Sequence, residues 1–183
     1  SGLEEAATVE QLTALSGTIQ SVQAANRLEL LLDRTLTQNT AKVALDVSQV
    51  DLGAYVKLFL VVRAAVAATS GYYIWMRFNG ISDRVYSSLN TVSSSSTRYT
   101  EYSLGIGSGW TTRFLDLWES SGALCYGMEG LSASLDLYER SGGHCSALGM
   151  EQLETIDLYS ASTSSGAGSA IKSGSTFRLY GLK

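Results

Sequence analysis

The chain has 183 residues, of which 45% are hydrophobic and 16% charged, enough to bury one good core and too few for two full domains. A formal net charge of −4, with Lys and Arg scattered, gives no basic footprint and argues against nucleic acid or an anionic membrane surface as partner. Proline is absent while glycine numbers 18, so turns must be built from glycine and small polar residues, which suits many short strands.

Two cysteines, Cys125 and Cys145, are too few for a disulfide framework; two reduced thiols are expected, with a single bridge as the alternative. The most apolar stretch, 56–76, is interrupted by Lys57, Arg63 and Ser70, and no charged start with an apolar run opens the chain. Neither membrane spanning nor secretory export is expected.

The first segment differs in kind from the rest. From Glu4 to Ala25 it is rich in Ala, Glu, Gln and Leu, and Leu12, Leu15, Ile19 and Val22 recur at the a and d spacing of a short heptad pattern. Thr8 with Gln11 offers a capping box, and Gly17 weakens the middle by roughly 1 kcal/mol relative to Ala. Two heptads are marginal as an isolated helix, so the stripe needs a partner, either its own domain or the same helix of other subunits.

From Leu28 onward the period changes to that of strands. "LELLL" (28–32) and "KVALDV" (42–47) are short candidates; "YVKLFLVVR" (55–63) places Val56, Leu58, Leu60 and Val62 on one face and Phe59 and Val61 on the other, the pattern of a central strand. "YYIWMRF" (72–78) turns Tyr72, Ile74, Met76 and Phe78 inward and runs into Asn79-Gly80, a turn signal because both residues tolerate positive φ. A polar loop at 91–97 precedes "RYTEYSLGI", with Tyr99 and Ile106 as anchors.

The second half echoes itself. Units of the form apolar-Asp-Leu-aromatic followed by a Ser/Gly turn start at Phe114, Ser134 and Thr155. A period of about 20 residues is compatible with a solenoid. The echo does not reach the first half, however, and three successive strand pairs in an antiparallel sheet system are the preferred reading. The closing "GSTFRLYGLK" alternates Phe177 and Leu179 against Thr176, Arg178 and Tyr180, so the chain is expected to end on a half-buried strand.

Chemistry-bearing residues are few. His144, the one histidine, stands in "SGGHCS" beside Cys145 and reads as a polar loop residue; strand alternation would let it serve Cys125 more readily than Cys145 in a nucleophile pair. Those three residues lack a fourth zinc ligand and the close Cys spacing, so no metal and no cofactor are expected. Asp116, Asp136 and Asp157 are the best carboxylates for glycoside cleavage, but each alternates with leucines and is expected on a solvated strand face. "GIGSG" (105–109) lacks the third glycine of a dinucleotide loop, Trp110 following it. No catalytic site is expected.

Trp110, Trp118, Tyr126, Tyr138 and Tyr159 fall at or beside turns, and exposed aromatics next to Asp, Ser and Gly can stack on sugar rings. They are the candidate glycan-binding residues. Trp118, Tyr138 and Tyr159 are expected to form one ladder with the repeated aspartates, serving as a binding surface or a subunit interface.

Three runs, "AYVKLFLVVRA", "YYIWMRFNGISDRVY" and "IKSGSTFRLYGLK", resemble the jelly-roll domain of tailed-bacteriophage virion structural proteins; the matching pieces are Tyr55 to Arg63, Arg77 to Gly80 with Tyr86, and Gly174 to Gly181. The resemblance covers roughly Leu28 to Lys183 and rests on scaffold strands and turns. It implies a mainly β, antiparallel β-sandwich (jelly roll) over 28–183, preceded by a short N-terminal α-helix in an anchor or oligomerisation segment, 1–27. It further implies a non-enzymatic virion component, made in the host cytoplasm: a head fibre, capsid decoration protein, tail fibre or adaptor. Such proteins are commonly homotrimers, with Leu12, Leu15, Ile19 and Val22 as the self-association seam and other virion proteins held through the N-terminal segment. A carbohydrate-binding host-recognition module, touching host surface glycan, is the alternative.

Overall fold

The computed structural model describes residues 9, 11, 13–17, 27–68, 71–81, 85–90, 97–99, 102–131, 138–162 and 168–183. Among them the backbone at 9, 11 and 13–17 is helical, and everything regular after Leu28 is strand except two short 3-10 turns at Leu52–Ala54 and Met150–Gln152. The strands are β1 (Leu28–Thr35), β2 (Lys42–Asp46), β3 (Lys57–Ala64), β4 (Tyr73–Phe78), β5 (Val85–Asn90), β6 (Thr97–Tyr99), β7 (Tyr102–Ser103), β8 (Thr111–Ser120), β9 (Ala123–Leu131), β10 (Tyr138–Cys145), β11 (Thr155–Ala161) and β12 (Thr176–Leu182).

These strands form two antiparallel sheets. The larger has the order β1-β12-β3-β8-β9-β10-β5-β6 and the smaller β2-β11-β4-β7. Alternation dictates the inner faces: Leu58, Leu60 and Val62 on β3, Leu115 and Leu117 on β8 and Phe177 and Leu179 on β12 are buried on one side of a single core. Val43 and Leu45 on β2, Ile156 and Leu158 on β11, and Ile74, Met76 and Phe78 on β4 supply the other side. Each large side chain so buried contributes about 1.5–3 kcal/mol of transfer free energy.

The chain end is a strand as expected, and it is interior to the large sheet, next to the edge strand β1. β12 lies between β1 and β3, in register from Thr176↔Arg63 to Leu182↔Lys57 on one side and from Leu28↔Leu182 to Thr35↔Thr176 on the other. β3 is interior to the sheet, between β12 and β8. Val56, expected on its buried face, instead precedes the strand and is 69% exposed.

The turn chemistry is legible. Asn79 (φ 50°) and Gly80 (φ 68°) make the left-handed turn after β4, and Asn79 also accepts bonds from the Glu154 and Thr155 amides at 2.8 and 2.9 Å, tying that turn to the start of β11. Ser121 and Gly122, both at positive φ, close the β8–β9 hairpin in two residues, the geometry that matches strand twist.

The three echoing units are not equivalent. The first is the β8–β9 hairpin, the second supplies β10, which pairs with β9 and β5 in the large sheet, and the third supplies β11, which pairs with β2 and β4 in the small sheet. The Ser/Gly stretch is a hairpin turn in the first unit, as expected, but lies inside β10 in the second, so both the element formed and the neighbour it pairs with are chosen by the whole fold.

Candidate functional site

The outward face of the large sheet carries the most distinctive surface. Along β8 the inward residues Arg113, Leu115 and Leu117 alternate with outward Phe114, Asp116 and Trp118, and Phe114 is 53% exposed. Asp116 receives a 2.8 Å ion pair from Lys57 of β3, whose ammonium also lies 5.1 Å from the Phe59 ring and 6.0 Å from the Trp118 ring. Next to Asp116 in register stands Gly127 of β9, and next to that Gly142 of β10. These two neighbouring glycines contribute no side chain of their own to the outer face. Trp118 leans over Gly127, its ring 3.6 Å from where a Cβ would be. A depression of about 80 Å³ results, lined by Phe114, Asp116, Gly127, Met128 and Glu129.

The structure disperses the five aromatic candidates. Tyr126 is a core residue, 1% exposed, because its strand position faces inward beside Leu124 and Met128. Trp118 lies on the outer face of the large sheet and Tyr159 on the small sheet, where the Arg77 guanidinium stacks 4.7 Å from its ring, so the single ladder with the aspartates does not exist. Trp110 is an exposed residue before β8, with the Arg63 guanidinium 4.7 Å from its ring and Gly174 beneath it. Tyr138 opens β10, its side chain outside the described residues. Phe114 was missed by sequence reasoning. The alternation with Leu115 and Leu117 that turned Asp116 outward is the signal that turns Phe114 outward with it.

Catalytic groupings do not form among the described residues. Asp157 is buried rather than solvated and is held by Lys42 at 2.9 Å on the small sheet, whereas Asp116 lies on the large one; Asp136 is outside the described residues. His144 stands in β10 rather than in a turn, directly opposite Cys125, as alternation required. Burial pushes the Cys125 thiol above its ordinary range, a bond from the Ser120 backbone opposing only in part, which leaves the thiol protonated and weakly nucleophilic. No group of three or more His, Cys, Asp or Glu residues that would hold a metal ion occurs among the described residues.

Cys125 faces outward and half-buried, Cys145 inward and fully buried, and both are free. In the native protein, Cys125 is expected to react with a thiol-specific disulfide reagent at neutral pH at least about tenfold more slowly than an unhindered thiol, and Cys145 only as fast as the protein opens. Counting released thiolate with and without denaturant checks this; immediate titration of both thiols in the native state would contradict it.

A second surface surrounds the entry of the chain into the sandwich. Tyr55 donates its hydroxyl to Glu29 at 3.0 Å, and Lys183 binds the same carboxylate oxygen at 3.1 Å while lying 5.5 Å from the Tyr55 ring. Lys183, then Tyr55, hold the Glu29 carboxyl below its usual range. Arg27, Leu28, Glu29, Leu30 and Lys183 line an open cleft here of about 390 Å³. Leu28, Leu30 and Val56 are all more than half exposed. Of the seam residues, Leu15 is helical and exposed, as is Val9; Leu12, Ile19 and Val22 lie outside the described residues.

The sequence matches no family model, and no curated protein and no solved structure matches it. No helix among the described residues is long and apolar enough to cross a membrane.

Proposed function

We propose that this chain is a non-enzymatic structural protein of a tailed-bacteriophage virion, a self-associating jelly roll that projects from the particle and is attached through its N-terminal segment. The strand order carries the reading. Leaving aside β5, β6, β9 and β10, which extend the large sheet beyond β8, the remaining eight strands in chain order occupy the sheets as 1-8-3-6 and 2-7-4-5. That order supports the reading as two interlocked Greek keys of a jelly roll, a fold common in capsid domains. Fold alone does not fix function. The resemblance of the three sequence runs to phage virion domains supplies the rest.

Self-association is supported by exposed apolar residues on the helical segment and at the start of the sandwich. Val9 and Leu15 on the segment, and Leu28, Leu30 and Val56 at the sandwich entry, offer area that a second copy would cover. A trimer is the expected assembly. Light scattering on the full chain is expected to give a mass near three times 19.5 kDa. A monomer at all accessible concentrations would overturn self-association, and absence of the chain from purified particles would overturn the virion assignment.

A further inference from the structure

We propose that the outer face of the large sheet over β1, β12, β3 and β8 is the surface through which copies of this chain meet, a second copy lying across it. This rests on the self-association proposed above and names the surface that carries it.

Register defines the face. Leu30, Tyr180 and Phe59 stand side by side on β1, β12 and β3, and Val61 stands beside Phe114 on β3 and β8. With Leu28 at its start they make an apolar band that runs diagonally over four strands, roughly 20 Å from Leu28 to Phe114 at ordinary strand spacings. Leu28, Leu30 and Phe114 are each more than half exposed, and Tyr180, Phe59 and Val61 are half-buried. The outward face of a solvated antiparallel sheet is polar, so an apolar band there calls for a cover.

The charges beside the band say what covers it. On one side Lys57 binds Asp116 at 2.8 Å, and on the other Arg178 binds Asp33 at 3.2 Å. Each flank carries one cation and one anion already paired within the chain, so the flanks offer no net charge to a strongly acidic or basic partner. In a closed ring of copies with the band turned toward the axis, one flank of each copy meets the opposite flank of the next. Lys57 then comes to Asp33 and Arg178 to Asp116, an exchange of partners that leaves no charge buried alone. A plane of four strands by seven residues covers roughly 450 Å², about half of the ~800 Å² that each partner of a stable interface buries. The helical segment, with Val9 and Leu15 exposed, adds to that area.

Leu30→Glu and Phe114→Glu replace exposed side chains, so both are expected to fold with unchanged circular dichroism. In light scattering of the full chain each should raise the concentration at which the assembly half-dissociates about tenfold or more. The meeting of the flanks is read by Asp33→Cys combined with Lys57→Cys in a Cys125→Ser background, oxidised at a concentration where light scattering shows the assembly. Within one copy positions 33 and 57 are roughly 17 Å apart, too far for a disulfide, so only neighbours can bridge. Covalent trimers are expected from the double variant on a non-reducing denaturing gel, and monomers from either single variant. An assembled double variant that does not bridge, or bridging in a single variant, would overturn the proposal. A wild-type chain monomeric at all accessible concentrations would overturn self-association and this surface together. An assembled wild type whose mass withstands both glutamate substitutions, yet is lost on Leu15→Glu, would overturn this surface alone. Protection of the face from hydrogen exchange by anionic lipid vesicles, with the chain a monomer, would assign it to a membrane instead.

Discussion

Gly181→Val is expected to destabilise the protein by about 3 kcal/mol, seen as a lowered denaturant midpoint with an unchanged slope. Position 181 lies near the end of β12, opposite Glu29 on β1 and Leu58 on β3. A Cβ there would overlap the ring of Tyr55, 2.6 Å from Cε1 and 2.8 Å from Cγ, distances that real atoms do not adopt. The ring has little room to retreat, because its hydroxyl is bonded to Glu29 and Lys183 stacks on its face. Moving it would loosen the joint between β1, the chain end and the approach to β3. Gly181→Ala should show the same effect in smaller degree, and truncating Tyr55 to alanine should relieve part of the penalty in the double variant, a coupling that a thermodynamic cycle reads directly. An unchanged midpoint for Gly181→Val would mean that the chain end is not held as described.

Arg113→Met is expected to cost roughly 3 kcal/mol, from carbonyls left without a donor. Arg113 is fully buried on the inward face of β8, and its guanidinium donates to the carbonyls of Leu104 at 2.8 Å and Gly105 at 3.3 Å. Those carbonyls belong to the non-strand segment following β7, whose Leu104 and Ile106 are core residues. The backbone of this segment is bonded to β4, the Leu104 amide donating to the Ile74 carbonyl at 2.8 Å and the Ile74 amide to the Ile106 carbonyl at 3.0 Å, and Arg113 ties its other carbonyls to β8. Gly130 on β9 makes room for it, since a Cβ at 130 would fall 2.8 Å from Arg113 Nη1. Methionine keeps most of the volume and removes the donors, so packing and polar satisfaction are separated by this choice. Arg113→Lys should recover little, because a single ammonium cannot reproduce the planar fork. Hydrogen exchange of the amides around 104–106, accelerated in the variant more than elsewhere, would locate the effect; uniform or absent change would contradict it.

The two sites differ in how far they could be read in advance. The alternation in "GSTFRLYGLK" marks the final strand and its buried residues, but nothing in it indicates that Gly181 must lack a side chain, because Tyr55 is remote in sequence and meets it only through strand pairing. Arg113 was not singled out from the sequence, although its alternation with Leu115 and Leu117 assigns it to the inner face, where a charge needs partners; those partners came from a loop. The outer face of the large sheet was half legible. Trp118 and Asp116 stood out in sequence, while Phe114, Lys57 and the paired glycines join them only across the sheet. Tyr126 was misassigned because proximity to a turn says less about exposure than strand parity does.

By itself the sequence determined the β class, the inward residues of most strands, the tight turns at Asn79-Gly80 and Ser121-Gly122, and a structured chain end. These follow from short-range physics: side chains alternate at period two, and only certain residues accept positive φ. Tertiary structure alone decided which strands are neighbours, why Asp116 and Asp157 stand on different sheets despite near-identical local sequence, and which outward residues converge on one face. A sheet is joined through backbone amides and carbonyls that are the same at every residue, so a strand's own pattern says which face is buried and leaves its neighbour to be chosen by the packing of the whole core.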